Sequence, residues 1–414
     1  MTKIRGAKRL SGFADSVFGE MTRLATLHDA VNLSQGFPDF EAPQAIKDAA
    51  CGAIQAEQNQ YAPPYGTKAF RDAIAADFTR RYGVDVVADE QVTVCCGSTE
   101  AMMASMLSCI DPGDEVIVFE PFYENYGPDA ILAGAEPKYV RLREPEWRFD
   151  PHELAAAFNN RTRAIVINSP NNPTGKVFTR DELQLIARLC QKWDVLAISD
   201  EIYERIVYRG HRHVPMASID GMADRTITIG GLSKTYSVTG WRIGWAISPP
   251  ALTGGIRKLH DFLTVAAPTP FHAAGVAALS MPDAFYTDLA NDYEAKRDLM
   301  LDILGRHGLT AYSPGGAYYV MADVSRFGFS TDSEFAQYLV KEIGVATVPG
   351  SSFYIDAATA PQTVRFCFSK RDETLHEADR RLARLSVRLR PEASTSAKAS
   401  ADTSAGQVTS GDRA

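Results

Sequence analysis

The chain has 414 residues, of which 45% are hydrophobic and 23% are charged. This length exceeds the size at which a single hydrophobic core stops growing, so we expect two lobes. The 51 acidic residues outnumber the 43 basic ones, giving a formal net charge of -8. That balance argues against nucleic-acid or membrane partners and favours small molecules. No apolar run is long enough to span a bilayer, and the six cysteines lack metal-ligand or disulfide spacing. We therefore expect no metal and a cytoplasmic location.

Short apolar runs bounded by turn residues predict a series of buried strands. These runs are Val92–Cys96, Glu115–Phe119, Lys138–Leu142, Ala164–Asn168, Val195–Ser199, Thr226–Ile229 and Ile243–Ile247. Helix-period segments separate most of them, at Glu100–Ile110, Pro151–Phe158 and Arg180–Lys192. Thr179 and Glu182 form a capping box at the start of the last one. The alternation predicts an α/β fold with a mostly parallel, seven-stranded sheet covered by helices and with ligands at the carboxyl ends of its strands.

The pattern changes after Pro268, where helices continue to about His307. The runs that follow are shorter and predict a smaller α+β domain. Its predicted elements are strands at Tyr318–Val324, Val345–Val348 and Val364–Phe368 and a helix at Ser333–Glu342.

We expect four segments along the chain. Residues 1–45 form an N-terminal arm and part of the small domain, 46–300 the large domain, and 301–390 the small C-terminal domain. The tail at 391–414 is rich in Ala, Ser, Thr and Gly. It has too little apolar surface to offset its ordering entropy, so we predict that it is disordered.

One lysine, Lys234, stands just beyond a predicted buried strand, next to Ser233. An amine held among small residues can form a Schiff base with a carbonyl cofactor. Arg242 follows eight residues later and can bind a phosphate with two hydrogen bonds. The pair fits pyridoxal phosphate chemistry, although a lone lysine is more commonly a surface charge.

Two other predicted strands end on polar side chains that suit the same ligand. A loop at 168–175 carries two prolines and a glycine, which fix its backbone so that Asn172 can direct its amide at a ligand. Asp200 ends the next strand, and Tyr203 follows three residues later. A carboxylate against a core needs a cation, which a protonated pyridine nitrogen supplies. The alternatives are a simple turn, a helix N-cap and a core tyrosine.

A strand that runs through Gly97 into a helix predicts an anion site, because backbone amides at a helix start bind phosphate. Ser98 and Thr99 add hydroxyls there, although both are also ordinary helix caps. Tyr123 follows another strand and either stacks on a planar ring or is an exposed turn aromatic.

These motifs, in this order and spacing, resemble the class I and II aminotransferases of fold type I, from about Ser11 to Leu389. Residues 31–40 (VNLSQGFPDF) and 59–66 (NQYAPPYG) resemble more particularly the branch with kynurenine, methionine and glutamine–phenylpyruvate aminotransferases and cysteine S-conjugate β-lyases. Five separate motifs in register make a chance match very improbable.

The resemblance implies a role for each residue. Lys234 would hold the cofactor as an aldimine and move the substrate proton. Asp200 would keep the pyridine nitrogen protonated, while Asn172 and Tyr203 would bind the ring oxygen and Tyr123 would stack on the ring. The phosphate would be held by Gly97, Ser98, Thr99, Ser233 and Arg242.

The resemblance also implies a homodimer with shared active sites, with Tyr61 reaching in from the second subunit. Gly36, Asn172 and Arg365 would bind the substrate, with Arg365 gripping its α-carboxylate. An unpaired arginine in an apolar strand is costly, and the alternative is that a protein acid pairs with it.

Two departures from the family's pattern bear on binding and specificity. Gly231 stands where several members place a phosphate-binding serine. Residues 263–268 carry no cation, whereas aspartate-preferring relatives supply a second arginine in this region. We therefore expect a ping-pong aminotransferase that moves the amino group of a neutral, sulfur-containing or aromatic L-amino acid to a 2-oxo acid. Phe18 and Tyr65 are candidate pocket walls.

Three alternatives use the same scaffold. A cysteine S-conjugate β-lyase would release pyruvate and ammonia without an acceptor, and a pyridoxal phosphate-dependent oxidase or other biosynthetic specialist would be exposed by oxygen consumption. A non-catalytic regulatory module is disfavoured, because no basic helix-turn-helix segment precedes Ser11 and the catalytic set is complete.

Overall fold

The computed structural model describes residues 6–13 and 16–385 of the chain, so the tail predicted to be disordered lies outside the described residues. The α-helices, numbered in chain order, are α1 Val17–Leu27, α2 Gln44–Gln55, α3 Lys68–Tyr82, α4 Ala88–Gln91, α5 Gly97–Cys109, α6 Tyr126–Leu132, α7 Pro151–Ala157, α8 Arg180–Trp193, α9 Pro250–Thr264, α10 Pro270–Leu279, α11 Asp283–Arg306, α12 Asp332–Tyr338 and α13 Asp372–Leu382. The strands are β1 Val31–Asn32, β2 Val92–Cys95, β3 Glu115–Glu120, β4 Glu136–Arg141, β5 Thr162–Asn168, β6 Leu196–Asp200, β7 Thr226–Gly231, β8 Gly244–Ile247, β9 Thr310–Tyr312, β10 Tyr319–Asp323, β11 Val345–Ala346, β12 Val348–Pro349 and β13 Thr363–Cys367.

The large sheet has seven strands in the order β2-β8-β7-β6-β5-β3-β4. Strand β8 runs antiparallel to both of its neighbours, and the other pairs are parallel. Strands β3 and β6 are buried along their whole length. Such strands are covered on both faces, which is why they read as continuous apolar runs in the sequence. The predicted α/β fold with a mostly parallel seven-stranded sheet is confirmed.

The capping box predicted for α8 is present. The Thr179 hydroxyl accepts a 3.2 Å hydrogen bond from the Glu182 amide, and the Glu182 carboxylate accepts a 2.8 Å hydrogen bond from the Thr179 amide. Each side chain satisfies an amide that has no partner inside the helix, so the helix begins where the sequence predicts.

Two predicted elements of the C-terminal region differ from the structure. The predicted helix at 333–342 consists of α12 followed by a π-helical segment, Leu339–Ile343, which ends at Gly344 with φ +84°. The single strand predicted at 345–348 is two strands, because β11 pairs with β1 while β12 pairs with β13. The chain thus changes partner strands at Thr347, which periodicity alone does not reveal.

A second sheet, in the order β12-β13-β10-β9, lies in the C-terminal region and is antiparallel. Its core includes Val320 and Phe366 from the strands and Leu304, Phe335 and Leu375 from α11, α12 and α13. The N-terminal α1 packs into the same core. The assignment of these elements, with part of residues 1–45, to a small domain stays a prediction. The boundaries at residues 45 and 300 stay a prediction.

The fold brings the carboxyl ends of β5, β6 and β7 to one edge of the large sheet, next to the first turn of α5. Residues of β10 and β13 from the second sheet lie opposite that edge and help to line a common cavity. Within the described part of the chain, no helix is both long and apolar enough to cross a membrane.

Candidate active site

A cavity of about 240 Å³ lies between the two sheets. The sequence-predicted residues that line it are Gly36, Ser98, Thr99, Tyr123, Asn172, Asp200, Tyr203, Ser233, Lys234, Arg242 and Arg365. Gly97 lies directly against Arg242. The cavity therefore gathers side chains that are far apart in the sequence, and Phe18 lines it as well.

Lys234 follows β7 and directs its amine into the cavity, where Nζ donates a 3.3 Å hydrogen bond to the carbonyl oxygen of Gly36. Burial lowers the pKa of Lys234 to about 8, and the positive charges of Arg242 and Arg365 act in the same direction. A lower pKa increases the fraction of neutral amine near pH 7. That neutral amine is the form that attacks a carbonyl carbon.

Asp200 ends β6 and is buried. Its Oδ2 accepts a 2.6 Å hydrogen bond from the Tyr126 hydroxyl, and its Oδ1 accepts a 3.2 Å bond from the Ile202 amide. Burial raises the pKa of Asp200, whereas these two donors and the Lys234 charge oppose that rise. Among the described residues no cation forms an ion pair with this carboxylate, so it has an unmet need for a positive partner.

Asn168 and Asn172 organise the loop that follows β5. The Asn168 side chain donates to the carbonyl of Asp200 at 2.9 Å and accepts from the Asn172 amide at 2.7 Å. This link fixes the Asn172 backbone relative to the end of β6. The predicted rigid loop is thus held by a side chain as well as by its prolines.

Arg365 lies in β13 and is only 1% exposed. Its Nη1 donates to Oδ1 of Asn172 at 2.8 Å, and its Nη2 donates to the carbonyl of Ser34 at 2.6 Å. The buried Nε has no protein partner. Both acceptors are neutral, so the guanidinium keeps its net positive charge instead of pairing with a protein acid. The alternative of an arginine neutralised by a carboxylate does not apply among the described residues.

Aromatic rings surround this guanidinium. The centroids of the Tyr319, Phe18 and Phe353 rings lie 4.2, 4.8 and 5.1 Å from its central carbon. Ring faces attract a cation and exclude water from it. They therefore stabilise Arg365 without using up its charge.

Gly97 and Arg242 lie against each other at the candidate site for an anion, which we call the anion-binding end of the cavity. Gly97 has φ +82°, and a Cβ on it would lie 2.3 Å from Nη2 of Arg242. Arg242 itself adopts the left-handed conformation, with φ +55°. The N-cap residue of α5, Cys96, makes no side-chain hydrogen bond to the first amides of the helix. Gly97 thus permits close approach of a guanidinium to the free amides of a helix start, which suits a phosphate.

The departure at Gly231 has a steric cause. A Cβ at this position would lie 2.9 Å from the carbonyl oxygen of Ile243 and 3.0 Å from Cδ1 of Ile202. The serine that several family members place here does not fit without a backbone shift. Arg242 and the turn at Gly97 are then the remaining candidates for holding an anion.

Tyr203, Tyr319 and Gly36 meet at the opposite side of the cavity. The Tyr203 and Tyr319 hydroxyls share a 2.9 Å hydrogen bond. Burial raises the pKa of both phenols, that of Tyr319 to about 12, so both stay protonated at neutral pH. A Cβ on Gly36 would lie 2.0 Å from the Tyr319 hydroxyl. A side chain at position 36 would therefore displace the Tyr319 hydroxyl.

Two of the predicted residues lie away from the cavity of their own chain. The Tyr61 side chain is 80% exposed, in a loop held by the Thr269 hydroxyl, which donates to Gln60 and accepts from the Ala62 amide. Its proposed place in a partner's site stays a prediction. The predicted pocket wall Tyr65 does not line the cavity of its own chain: its ring centroid lies 4.8 and 4.3 Å from the guanidinium carbons of Arg71 and Arg257.

Sequence reasoning missed Tyr126, Asn168 and Tyr319. Tyr126 is the first residue of α6, three residues after Tyr123, and the two rings contact each other. Asn168 is the last residue of β5, and Tyr319 is the first residue of β10. Nothing in the sequence indicates which residues they contact.

The chemistry of this set defines the class of ligand. It combines an amine of lowered pKa, a buried carboxylate that needs a cation, and a helix start with an arginine for an anion. These groups match a cofactor with an aldehyde, a basic ring nitrogen and a phosphate, which is pyridoxal phosphate. Gly97 lets the Arg242 guanidinium approach the start of α5, where a phosphate fits. Asp200 has no cationic partner among the described residues, and a protonated ring nitrogen would supply one.

The chain belongs to the aminotransferases of class I and II, whose family profile matches residues 28–382. It is 42% identical over 391 residues to a probable N-succinyldiaminopimelate aminotransferase of Mycobacterium tuberculosis, covering 92% of this chain and 98% of that protein. It is 37% identical to kynurenine–oxoglutarate transaminase 3 of Mus musculus, with 91% and 89% covered. The structure of YbdL from Escherichia coli, identified with a methionine aminotransferase function, superposes with a TM-score of 0.88 at 34% identity, covering 92% and 100%.

The predicted family, enzyme class and cofactor are thereby confirmed. The protein is an aminotransferase that uses pyridoxal phosphate. An amino acid and a 2-oxo acid are its substrates in the general sense that the family implies.

Proposed function

We propose that the protein transfers the α-amino group of a neutral, sulfur-containing or aromatic L-amino acid to a 2-oxo acid by a ping-pong mechanism. The observation that carries this proposal is the charge inventory of the cavity. Among the described residues that line it, the cations are Lys234, Arg242 and Arg365. Arg365 suits an α-carboxylate, which leaves no further cation among the described lining residues for a distal one. Phe18 and Met102 add apolar surface to the walls.

Five side chains would hold the cofactor ring. Lys234 would supply the amine for the aldehyde, and Asp200 would face the ring nitrogen and favour its protonated form. Asn172 and Tyr203 bind the ring oxygen, and Tyr123 stacks on the ring face. When bound, pyridoxal phosphate withdraws the electrons that remain when the substrate Cα loses its proton.

The phosphate would be held by the anion-binding end of the cavity. Arg242 donates from its guanidinium, and Ser98, Thr99 and Ser233 donate from their hydroxyls. Gly97 leaves the space that the guanidinium needs and exposes the start of α5, whose amides carry partial positive charge.

Arg365 would fix the substrate by its α-carboxylate. Its contact with Oδ1 of Asn172 leaves the amide nitrogen of Asn172 for the ring oxygen, so one asparagine links the two binding sites. Gly36 contributes its backbone to the same region. The Lys234 amine would then be the base that takes the proton from the substrate Cα and holds it for return. A 2-oxo acid reverses these proton transfers and leaves as the new amino acid.

A homodimer with shared sites is part of this proposal. Large apolar side chains are exposed in two segments, Tyr61 at 80% and Phe262 and Leu263 at 84% and 48%. A second copy of the chain would cover them and bring Tyr61 to a neighbouring cavity. A solution mass near that of one chain would contradict this part.

Transamination of an N-succinylated diaminopimelate is the second candidate. It is favoured by the 42% identity to the probable mycobacterial enzyme over nearly the whole of both chains. A cysteine S-conjugate β-lyase and a pyridoxal phosphate-dependent oxidase use the same lysine and cofactor. They differ in releasing ammonia without an acceptor or in consuming oxygen.

Absorbance spectra during half-reactions test the proposal. Purified holoenzyme is mixed in turn with methionine, kynurenine, phenylalanine, aspartate and N-succinyl-LL-diaminopimelate, without an acceptor. We expect conversion to the pyridoxamine form with the neutral donors, and none in Lys234→Ala. Rapid conversion by N-succinyl-LL-diaminopimelate alone would select the second candidate. Pyruvate and ammonia from a cysteine conjugate, or oxygen uptake, would select the other two.

A further inference from the structure

A histidine and a glutamate that none of the roles above uses are hydrogen-bonded to each other beside the anion-binding end. His260, on α9, is completely buried, and the Glu100 side chain, in the first turn of α5, is 9% exposed. Nδ1 of His260 lies 2.6 Å from Oε1 of Glu100, and Nε2 lies 2.6 Å from the carbonyl oxygen of Pro64. The Thr264 hydroxyl also donates to Oε1 of Glu100, at 3.0 Å.

These partners determine the charge of the pair. The Pro64 carbonyl only accepts, so Nε2 of His260 carries a proton. Nδ1 and Oε1 of Glu100 then need one proton between them, because two lone pairs 2.6 Å apart would repel each other. The proton is either on the imidazole, giving an ion pair, or on the carboxyl, giving two neutral groups. In both cases the pair has no net charge.

The neutral pair of His260 and Glu100 lies beside the turn at Gly97. Oε2 of Glu100 accepts a 2.5 Å hydrogen bond from the amide of Cys96, the residue before Gly97. The glutamate is therefore bound to the turn that leads into the start of α5. An isolated anion there would oppose the approach of a phosphate in a partly buried setting where charges are weakly screened.

We propose that His260 is a positioning residue for cofactor binding: it neutralises Glu100 beside the turn at Gly97 and fastens that turn to the Pro64 carbonyl, so that the start of α5 accepts a phosphate dianion. Glu100 holds the Cys96 amide in place by a hydrogen bond. His260 neutralises the negative charge that the Glu100 carboxylate would otherwise place beside the phosphate. The inference rests on the proposed phosphate site at Gly97 and Arg242. It also links that site to the loop that carries Tyr61.

The test compares pyridoxal phosphate with pyridoxal, which lacks the phosphate. Cofactor is removed from the full-length enzyme, and dissociation constants for both compounds are measured by absorbance in wild type, His260→Gln, Glu100→Gln and the double variant. We expect His260→Gln to weaken pyridoxal phosphate binding about tenfold while pyridoxal binding changes by less than about twofold. We expect the double variant to return to within about threefold of wild type, because it removes the anion together with its neutraliser.

Equal losses for both compounds in His260→Gln, or no rescue in the double variant, would overturn the inference and leave His260 a packing residue. If His260→Gln does not fold, Glu100→Gln decides alone. Its pyridoxal phosphate affinity should stay within about threefold of wild type or rise, and a selective loss would overturn the inference.

Arg242→Gln serves as the control for the phosphate site itself, and should weaken pyridoxal phosphate binding selectively. Without that selectivity the proposed phosphate site fails. With it, failure of the His260 and Glu100 variants counts against the inference alone.

Discussion

The Tyr126 hydroxyl donates a 2.6 Å hydrogen bond to Oδ2 of Asp200, although the two residues are 74 positions apart in the chain. This bond favours the ionised form of a carboxyl group whose pKa burial raises. Tyr126 therefore opposes protonation of Asp200, which the proposed contact with a protonated ring nitrogen requires as an anion. Its own pKa is raised well above the ordinary value by burial, so it stays a donor at all physiological pH values.

Replacing Tyr126 by Phe should reduce kcat about tenfold and weaken cofactor binding, because a hydrogen bond to a charged group is worth about 1.5–3 kcal/mol. Steady-state kinetics and cofactor titration measure both effects. Tyr123→Phe is the matched control, since it removes a neighbouring phenol whose ring contacts Tyr126 but which does not donate to Asp200. Similar losses in both variants would show that the Asp200 contact is unimportant.

Gly36→Ala should break the hydrogen bond between the Tyr203 and Tyr319 hydroxyls. The added Cβ would lie 2.0 Å from the Tyr319 hydroxyl and 3.0 Å from its ring carbon Cζ. Tyr319 must then move and release Tyr203, so we expect kcat/KM to fall at least about tenfold, comparable to a misplaced binding group. Activity assays and a crystal structure of the variant check this.

The double variant Gly36→Ala/Tyr319→Phe is the informative comparison, because it removes the atom that meets the new methyl group most closely. It should recover part of the loss. An unaffected single variant would mean that the backbone at Gly36 yields easily, contrary to the geometry.

Strand positions and the lysine motif could be predicted because each depends on local sequence. Strands β3 and β6 are buried on both faces and read as apolar runs, and Lys234 follows a strand that is recognisable in the same way. The partners of Arg365 could not be predicted, since Asn172 and Ser34 lie 193 and 331 positions away. A charge in an apolar strand indicates that a partner exists but does not identify it.

Gly231→Ser tests whether the steric explanation for the family departure is right. A side chain at this position would lie 2.9 Å from the backbone oxygen of Ile243, an atom that cannot rotate away. We expect destabilisation by about 1–3 kcal/mol, as for other overpacked sites, and no gain in cofactor affinity. Thermal unfolding of the apoprotein and cofactor titration check the two parts. If the variant has unchanged stability and binds pyridoxal phosphate more tightly, the steric explanation is wrong, and the chain lacks only a phosphate ligand at this position.

Lys234 gives the apoprotein a pH-dependent stability. Its folded pKa of about 8 lies below the unfolded value of 10.5. Below pH 8 both states are protonated, and burial of the charge destabilises the fold in full. Between about pH 8 and 10.5 the unfolded state binds more protons, so stability increases with pH across this window. Lys234→Met removes the charge. It should raise the Tm of the apoprotein at pH 7, and the difference from wild type should shrink progressively toward pH 10. Unfolding of both proteins across this pH range measures it, and a constant difference in Tm would show that the ionisation of Lys234 is not its cause.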